Sequence, residues 1–360
     1  MLRKFALWLV IVIILIALGA LGYQWFTRIP ANVAYVTEED GEISVIDLNK
    51  LAVIKRVQPK DVAPRGLGLT FDGQYIATAN KNTADITVFD TRGLRFNLLR
   101  RVPLGDNPEF IKMFPNGRWL FASFEPGSTA GPPPEATVGQ AEEEEDENEQ
   151  PAQIAAFNVQ DWSRGEVFTA GKETESLEFT PAGNELIVAN EAQDNLGVYN
   201  TATGQLIKNV DIAQYGKRPR GVKRSPDGNS YAVTMEGSGT LLLLDKNFNV
   251  AKMTMTAAKP YGVAFDRSGK RILVAAAAAR KLQVYSSDSL QLLAEAPIGQ
   301  RCWHFTFTPD DSKLLLACGR SNNVYVLDAN SYKQITVIGG FQTPWGILTY
   351  PRAFGSLGLP

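Results

Sequence analysis

The chain has 360 residues, of which 44% are hydrophobic and 21% charged, and its formal net charge is −2. This balance is typical of a folded protein with a sizeable core and excludes a largely disordered chain. Lysine and arginine form no dense run, so the sequence gives no indication of nucleic-acid binding.

The first 30 residues differ from the rest of the chain. Residues 5–23 form an uninterrupted apolar run, and a helix rising about 1.5 Å per residue over this length crosses a hydrocarbon core of roughly 30 Å. Arg3 and Lys4 precede the run, which favours a cytoplasmic N-terminus. We predict a single-pass anchor in a bacterial inner membrane, with the globular part in the periplasm or outside the cell. The alternative is a signal peptide cleaved near Ala20-Leu21-Gly22.

Residues 31–360 contain seven copies of one short pattern, an apolar run that ends in Asp, Asn or Ser. The copies lie at residues 43–47, 86–90, 154–158, 196–200, 241–245, 282–286 and 324–328. Their spacings are 43, 68, 42, 45, 41 and 42 residues. Such a period, built from strand-like segments, is typical of a β-propeller in which each repeat forms one blade. We therefore predict an all-β, seven-bladed propeller over residues 31–360.

A second signal marks the start of each copy and predicts how the ring closes. Triplets such as Pro64-Arg65-Gly66 precede an apolar strand that ends in a tight turn, for example Ser225-Pro226-Asp227-Gly228. The last copy has only the strand that follows Pro344-Trp345-Gly346, so its partners must come from residues 33–57. We expect the seventh blade to combine strands from both ends of the chain, which leaves no open sheet edge at the seam.

The longest interval contains an insertion at about residues 126–153, between the second and third strands of the second blade. It holds a Pro-rich stretch at 131–134 and then seven carboxylates within residues 142–149. Because this segment has little apolar surface to bury, we predict a disordered loop. In propellers this loop lies on the face where the innermost strands begin. It is a solvated excursion, a docking arm for a basic partner, or a weak cation-collecting loop.

The only two cysteines are predicted to face each other across a hairpin. A turn centred on position 310 places Cys302 opposite Cys318. Two cysteines at facing strand positions of an exported protein favour a disulfide over a metal site.

The only histidine, His304, follows Cys302 and Trp303 at a position where four other blades have glycine. Its imidazole should point toward the channel or its mouth. One interpretation is a general base or single metal ligand with a pKa near neutrality. The other is a hydrogen-bonded histidine that fills a gap.

Further side chains are expected to surround the channel mouth at two sets of positions. The first set occupies the middle of the starting triplets and comprises Arg65, Glu109, Arg220, Tyr261, Trp303 and Trp345. The second set lies at or just after the ends of second strands and comprises Glu38, Asn80, Asn190 and Glu236. With His304 they form a candidate binding site for a small anionic or amphipathic ligand, or for a divalent cation held by oxygen ligands. The sequence requires no metal or cofactor.

Three segments resemble the YVTN-type β-propeller repeat: Ala34-Tyr35-Val36-Thr37-Glu38, residues 41–47 and the turn at 225–228. The resemblance covers nearly everything after residue 30. It implies similarity to lactonase-like proteins, surface-layer proteins, small propeller subunits of quinohaemoprotein amine dehydrogenases and haem d1-binding proteins. Glu38 stands where the repeat has asparagine, and the Trp-Asp dipeptide of cytoplasmic WD-repeat scaffolds is absent from the sequence.

Three functions are compatible with the sequence. The first is a non-enzymatic, membrane-anchored propeller that binds a protein partner or a small ligand at the channel mouth. The second, implied by the resemblance, is a lactonase-like hydrolase in which His304 acts with Glu109 or Glu38, and Arg65 or Arg220 holds a carboxylate. The third is an accessory subunit of a periplasmic quinone or haem redox system. Motifs for covalent haem, for a serine-hydrolase elbow, for Walker A and for helical zinc sites do not occur in the sequence.

Overall fold

The computed structural model describes Trp8 and residues 11–19, 28–57, 62–127 and 150–359. Seven four-stranded sheets form the blades of a propeller, and neighbouring innermost strands contact one another around the ring. The predicted all-β, seven-bladed architecture is confirmed. We call the face where the innermost strands begin the top face, and the face where they end the bottom face.

The strands in chain order are β1 (Val33–Glu38), β2 (Glu42–Asp47), β3 (Ala52–Val57), β4 (Pro64–Leu69), β5 (Tyr75–Asn80), β6 (Asp85–Asp90), β7 (Asn97–Pro103), β8 (Pro108–Met113), β9 (Trp119–Phe124), β10 (Gln153–Asn158), β11 (Arg164–Thr169), β12 (Thr174–Phe179), β13 (Glu185–Asn190), β14 (Asn195–Asn200), β15 (Leu206–Asp211), β16 (Pro219–Arg224), β17 (Ser230–Met235), β18 (Thr240–Asp245), β19 (Val250–Met255), β20 (Pro260–Phe265), β21 (Arg271–Ala276), β22 (Lys281–Ser286), β23 (Leu292–Pro297), β24 (Cys302–Phe307), β25 (Lys313–Cys318), β26 (Asn323–Asp328), β27 (Gln334–Gly339) and β28 (Pro344–Tyr350). Short 3-10 turns occur at Arg92–Leu94, Glu191–Gln193, Ala213–Tyr215 and Gly319–Ser321.

Each blade runs from a buried innermost strand to a largely exposed outer one. Every residue of β20 is buried, whereas most of the fourth strand of that blade, β23, is exposed. Inner strands lie between two neighbouring sheets, which is why they are nearly continuous apolar runs. The tight turns that join them follow the sequence signal: Gly228 has φ +75°, and its N–H donates to the carbonyl of Ser225 at 2.9 Å.

The seventh blade combines both ends of the chain, as predicted, in the order β28-β1-β2-β3. β1 runs antiparallel to β28, with Val33 opposite Tyr350 and Ala34 opposite Thr349. Because β1 begins where β28 ends, the chain enters the propeller from the bottom face.

The disulfide prediction is also confirmed. Cys302 and Cys318 face each other in the β24–β25 register and are joined by a disulfide across a separation of 16 residues. Both side chains are fully buried in the core of this blade.

Two predicted segments lie partly outside the described residues. The insertion starts after β9 and returns at β10, as predicted, but its acidic part falls within residues 128–149. Of the apolar run at 5–23, Trp8 and residues 11–19 are described and are helical. No helix in the described part of the chain is long and apolar enough to cross a membrane.

Replacing both cysteines by serine should lower the free energy of unfolding by about 2–4 kcal/mol, because the unfolded chain loses a short covalent loop. Urea denaturation of the two proteins measures the difference. Reductant should lower the stability of the natural chain and leave the Cys302→Ser/Cys318→Ser variant unchanged. Two free thiols in the unfolded, unreduced natural chain would contradict the prediction.

Candidate functional site

The top of the channel is surrounded by seven side chains, each held at an irregularity in an innermost strand. In every blade the register with the neighbouring strand shifts within the starting triplet. Such bulges re-aim a side chain out of the sheet. The residues at these positions, which we call the mouth ring, are Arg65, Glu109, Glu175, Arg220, Tyr261, Trp303 and Trp345.

One side of the mouth ring is charged. Arg65 forms an ion pair with Glu109 and a second with Glu39, whose Oε1 lies 2.6 Å from the Arg65 Nε. Burial raises the pKa of Glu109 to about 7, and neighbouring Glu175 adds to this while Arg65 opposes it. This carboxyl group therefore changes its protonation near neutral pH.

Arg220 is the centre of a second charged group. Its guanidinium pairs with Glu175, with Glu236 and with Glu191, the last at 2.8 Å, and it lies 5.0 Å from the centre of the Tyr261 ring. Burial raises the pKa of Glu191 well above its usual range, and the neighbouring carboxylates add to the effect. One guanidinium thus holds three carboxylates together at the mouth.

Below the mouth ring an aromatic plug fills the channel. The plug consists of Phe110, Tyr261, His304 and Trp345. The ring of His304 lies 4.5 Å from that of Trp345, 5.5 Å from that of Tyr261 and 5.6 Å from that of Phe110. A cavity of about 10 Å³, with room for about one water molecule, lies beside His304.

The surroundings of His304 are those expected of a hydrogen-bonded histidine that fills a gap. Its Nδ1 lies 3.1 Å from Ser356 Oγ, and its Nε2 is buried without a hydrogen-bond partner. Burial, with a smaller contribution from Lys223, lowers the pKa of His304 to about 3. The imidazole is therefore neutral at physiological pH.

The C-terminal tail, residues 351–359, closes the channel from the bottom face. Phe307 N–H donates to Phe354 O at 2.8 Å, and Ser356 N–H donates to Phe305 O at 2.9 Å. On the other side of the channel, the ammonium of Lys223 donates to Gly358 O at 2.8 Å. The tail therefore crosses from one side of the channel to the other.

The structure brings only part of the predicted set together. The mouth ring contains all six of the predicted triplet positions, and Glu236 joins them through Arg220. Asn80 and Asn190 instead hydrogen-bond within their own hairpins, to Asp85 and Asn195.

Glu38 and Trp303 also have local partners. Glu38 accepts hydrogen bonds from Ser44 Oγ and from the N–H of Gln342. Trp303 packs over Gly319, where a Cβ atom would lie 1.8 Å from its ring.

Sequence reasoning missed Glu175. The expected set of middle residues did not include it, but the register shift of the third blade lies between Thr174 and Ser176, which makes Glu175 the middle residue. Thr174 replaces the proline found at the start of most other triplets. Counting back from the turn of that blade would have revealed this position.

Glu39, Glu125 and Glu191 were also missed, because they lie in loops outside the repeat. Glu125 is buried at the root of the insertion and accepts a hydrogen bond from the side-chain amide of Asn107 at 2.6 Å. Despite these carboxylates, no group of three or more His, Cys, Asp or Glu among the described residues is arranged to hold a metal ion.

Comparisons with known proteins bear on the fold. No protein-family model matches the sequence, and no curated protein matches it. A protein of unknown function from Desulfotomaculum acetoxidans is similar with a TM-score of 0.74 and 12% identity, covering 88% of this chain and 98% of that one. The periplasmic gluconolactonase of Pseudomonas aeruginosa is similar with a TM-score of 0.68 and 17% identity, covering 90% of this chain and 99% of that one.

A dihydro-heme d1 dehydrogenase is also similar, with a TM-score of 0.64 and 14% identity, over 89% of this chain and 75% of that one. The chain has the fold of the lactonase-like seven-bladed propellers. Because all of these identities are low, the likeness concerns the fold and does not transfer a ligand or an activity.

Replacing Arg220 by methionine should lower the free energy of unfolding by about 3–5 kcal/mol at neutral pH, because it leaves buried carboxylates without their cation. The loss should grow as the pH rises from about 5 to about 8. Burial raises the pKa of Glu191, and without Arg220 the folded variant retains a proton there that the unfolded chain releases. Urea denaturation across this pH range measures both effects.

The control is Lys217→Met, which removes an exposed cation 2.6 Å from Asp194. This variant should lose less than about 1 kcal/mol of unfolding free energy, as is usual when a surface ion pair is removed. Equal losses in the two variants would show that Arg220 is not the centre of a buried charge network.

Proposed function

We propose that this protein is a membrane-anchored, non-enzymatic binding module that presents its top face to a protein partner. One observation carries the proposal: the channel is filled from both ends, by the aromatic plug and by the C-terminal tail. Ligand pockets that enclose a small molecule typically measure about 300–1,000 Å³, far more than the cavity of about 10 Å³ beside the plug. Recognition at the surface of the top face fits this geometry better than capture inside the channel.

The charges of the top face favour a partner with a basic surface. The carboxylates of the mouth ring and its loops pair with Arg65, Arg218 and Arg220, so attraction of a basic partner rests on the insertion. The insertion starts beside them, since the N–H of Glu125 donates to Asp106 O at 2.9 Å. Its seven carboxylates at 142–149 add further negative charge. A solvated acidic segment attracts a basic partner over a range of about 10 Å at moderate salt.

The direction of the chain fits an anchor at the opposite face. β1 begins at the bottom face, where Leu48 N–H donates to Asn32 O at 2.9 Å. Residues 11–19 are helical and expose large apolar side chains, including Leu15 at 61% and Ile16 at 66%. An apolar helix of this kind is stabilised by a surrounding bilayer. An anchor on the side of the bottom face would direct the top face away from the membrane.

The two enzyme-related alternatives depend on His304, and its surroundings disfavour both. A lactone would need access to His304, which is 3% exposed and enclosed by the aromatic plug. The other suggested catalytic groups are already paired. Arg65 pairs with Glu109, Glu38 pairs with Arg56, and Arg220 pairs with three carboxylates.

A haem would need a planar cavity beside a free imidazole nitrogen. The Nε2 of His304 has no hydrogen-bond partner, but the rings of Phe110, Tyr261 and Trp345 pack around the imidazole and the tail occupies the space below it.

Lactone hydrolysis provides the first test. The full chain should hydrolyse none of a panel of sugar and aliphatic lactones above the uncatalysed rate, because no described side chain offers an accessible base in the channel. Turnover that disappears in His304→Ala, and also in Glu109→Gln, would make the protein a hydrolase and overturn the proposal.

Copurification provides the second test. The full chain should recover a stoichiometric partner from membranes of its source organism at low salt and lose it at high salt. Removal of residues 131–150 should reduce the recovery strongly. Replacing the carboxylates at 142–149 by their amides keeps the length of the loop and should give the same reduction. Equal recovery with all three proteins would exclude the insertion as a docking arm.

A further inference from the structure

A second cavity lies at the bottom of the channel, on the opposite side of the aromatic plug. It has a volume of about 20 Å³ and is bounded by the ends of β4, β8 and β28 and by the tail. About 10–15 Å³ on this scale admits one water molecule, so the enclosed part has room for one oxygen of a larger anion, and the rest would lie at the edge of the cavity beside the half-buried Arg352. Its cationic side chains are Lys112 and Arg352.

Arg352 brings a positive charge that no described carboxylate neutralises. Its guanidinium carbon lies 3.9 Å from the centre of the Phe71 ring, and burial alone lowers the pKa of Arg352 to about 10. Partly buried guanidinium groups normally pair with carboxylates or phosphates. An anion in the cavity would supply this missing partner.

The neighbouring side chains add hydrogen-bond donors. The Nζ atoms of Lys112 and Lys223 lie 2.9 Å and 3.5 Å from Oε2 of Glu178. One carboxylate is therefore shared by two amines. Thr349 lines the cavity, and its hydroxyl is buried without a hydrogen-bond partner. Glu178 balances the charge of Lys112, and burial lowers the pKa of Lys223 well below its usual range. The cavity therefore combines the charge of Arg352 with an unused hydroxyl.

We propose that this bottom cavity binds an oxyanion of the phosphate class, with Arg352 as its main ligand and Thr349 and Lys112 as additional donors. A planar guanidinium offers two parallel N–H donors to such an anion. The phosphate is either free in solution or belongs to a lipid headgroup, since the bottom face is also the face where the chain enters the propeller. Binding of free phosphate does not depend on the anchor or on the function proposed for the top face.

Calorimetric titration of the full chain with inorganic phosphate, in an uncharged maltoside detergent, tests the proposal. We expect saturable binding that weakens at least about tenfold in Arg352→Gln, because a charge-assisted hydrogen bond is lost. Arg352→Lys keeps the charge and should retain most of the affinity. Thr349→Val should weaken binding severalfold. The matched control is Arg118→Gln, which removes an exposed cation from the bottom-face turn between β8 and β9.

The absence of saturable binding would overturn the proposal, and so would equal weakening in Arg352→Gln and Arg118→Gln. Thermal unfolding of each variant shows whether it is folded, and Arg352→Lys separates the charge from the packing on Phe71.

A second titration with monomeric dihexanoyl phosphatidylglycerol identifies the source of the bound phosphate group. Tighter binding than that of inorganic phosphate identifies a lipid headgroup, whereas equal or weaker binding identifies a free anion.

Discussion

The pairing of β1 with β28 is the constraint on which the rest of the molecule depends. It joins the two ends of the propeller through an antiparallel pairing that runs from Val33–Tyr350 to Glu38–Pro344, with one register shift between Val36 and Glu38. Without this pairing, one blade would be a single strand with two unpaired edges. The same pairing fixes where the chain enters, on the bottom face, and where the tail leaves, directly beneath the channel. The orientation of the two faces therefore follows from ring closure.

Ring closure also determines why the channel is filled. The innermost strands approach so closely that a Cβ atom at Gly66 or Gly262 would lie 2.4 Å from a carbonyl oxygen of the next blade. The backbone relieves this crowding by bulging, and each bulge turns one side chain into the mouth. In blade six the glycine is replaced by His304, whose ring occupies the centre below. The crowded strands thus produce both the mouth ring and the plug.

The repeat made the blades, the seam and the Cys302–Cys318 pair predictable, because each depends on local periodicity and strand register. The charge network was less predictable. Glu175 was missed because its triplet begins with threonine instead of the usual proline. Glu191 was missed because it lies in a turn that the repeat does not specify. The environment of His304 depends on Ser356, 52 residues away in sequence. Contacts between a blade and a tail of no regular structure have no periodic signal, so the filled channel required the structure.

The two faces differ in how their charges are satisfied, and this difference separates their roles. On the top face Arg65 and Arg220 are saturated by buried carboxylates, so the mouth ring is a fixed surface that has little capacity left for a small ion. Burying charged groups costs desolvation free energy, but pairing them with one another holds their side chains in a fixed geometry. A fixed surface gives shape and register, while negative charge in the sequence of the insertion would increase the rate of encounter with a basic partner. On the bottom face Arg352 contacts the Phe71 ring and pairs with no carboxylate in the described part of the chain, and a guanidinium of this kind retains the capacity to bind an anion.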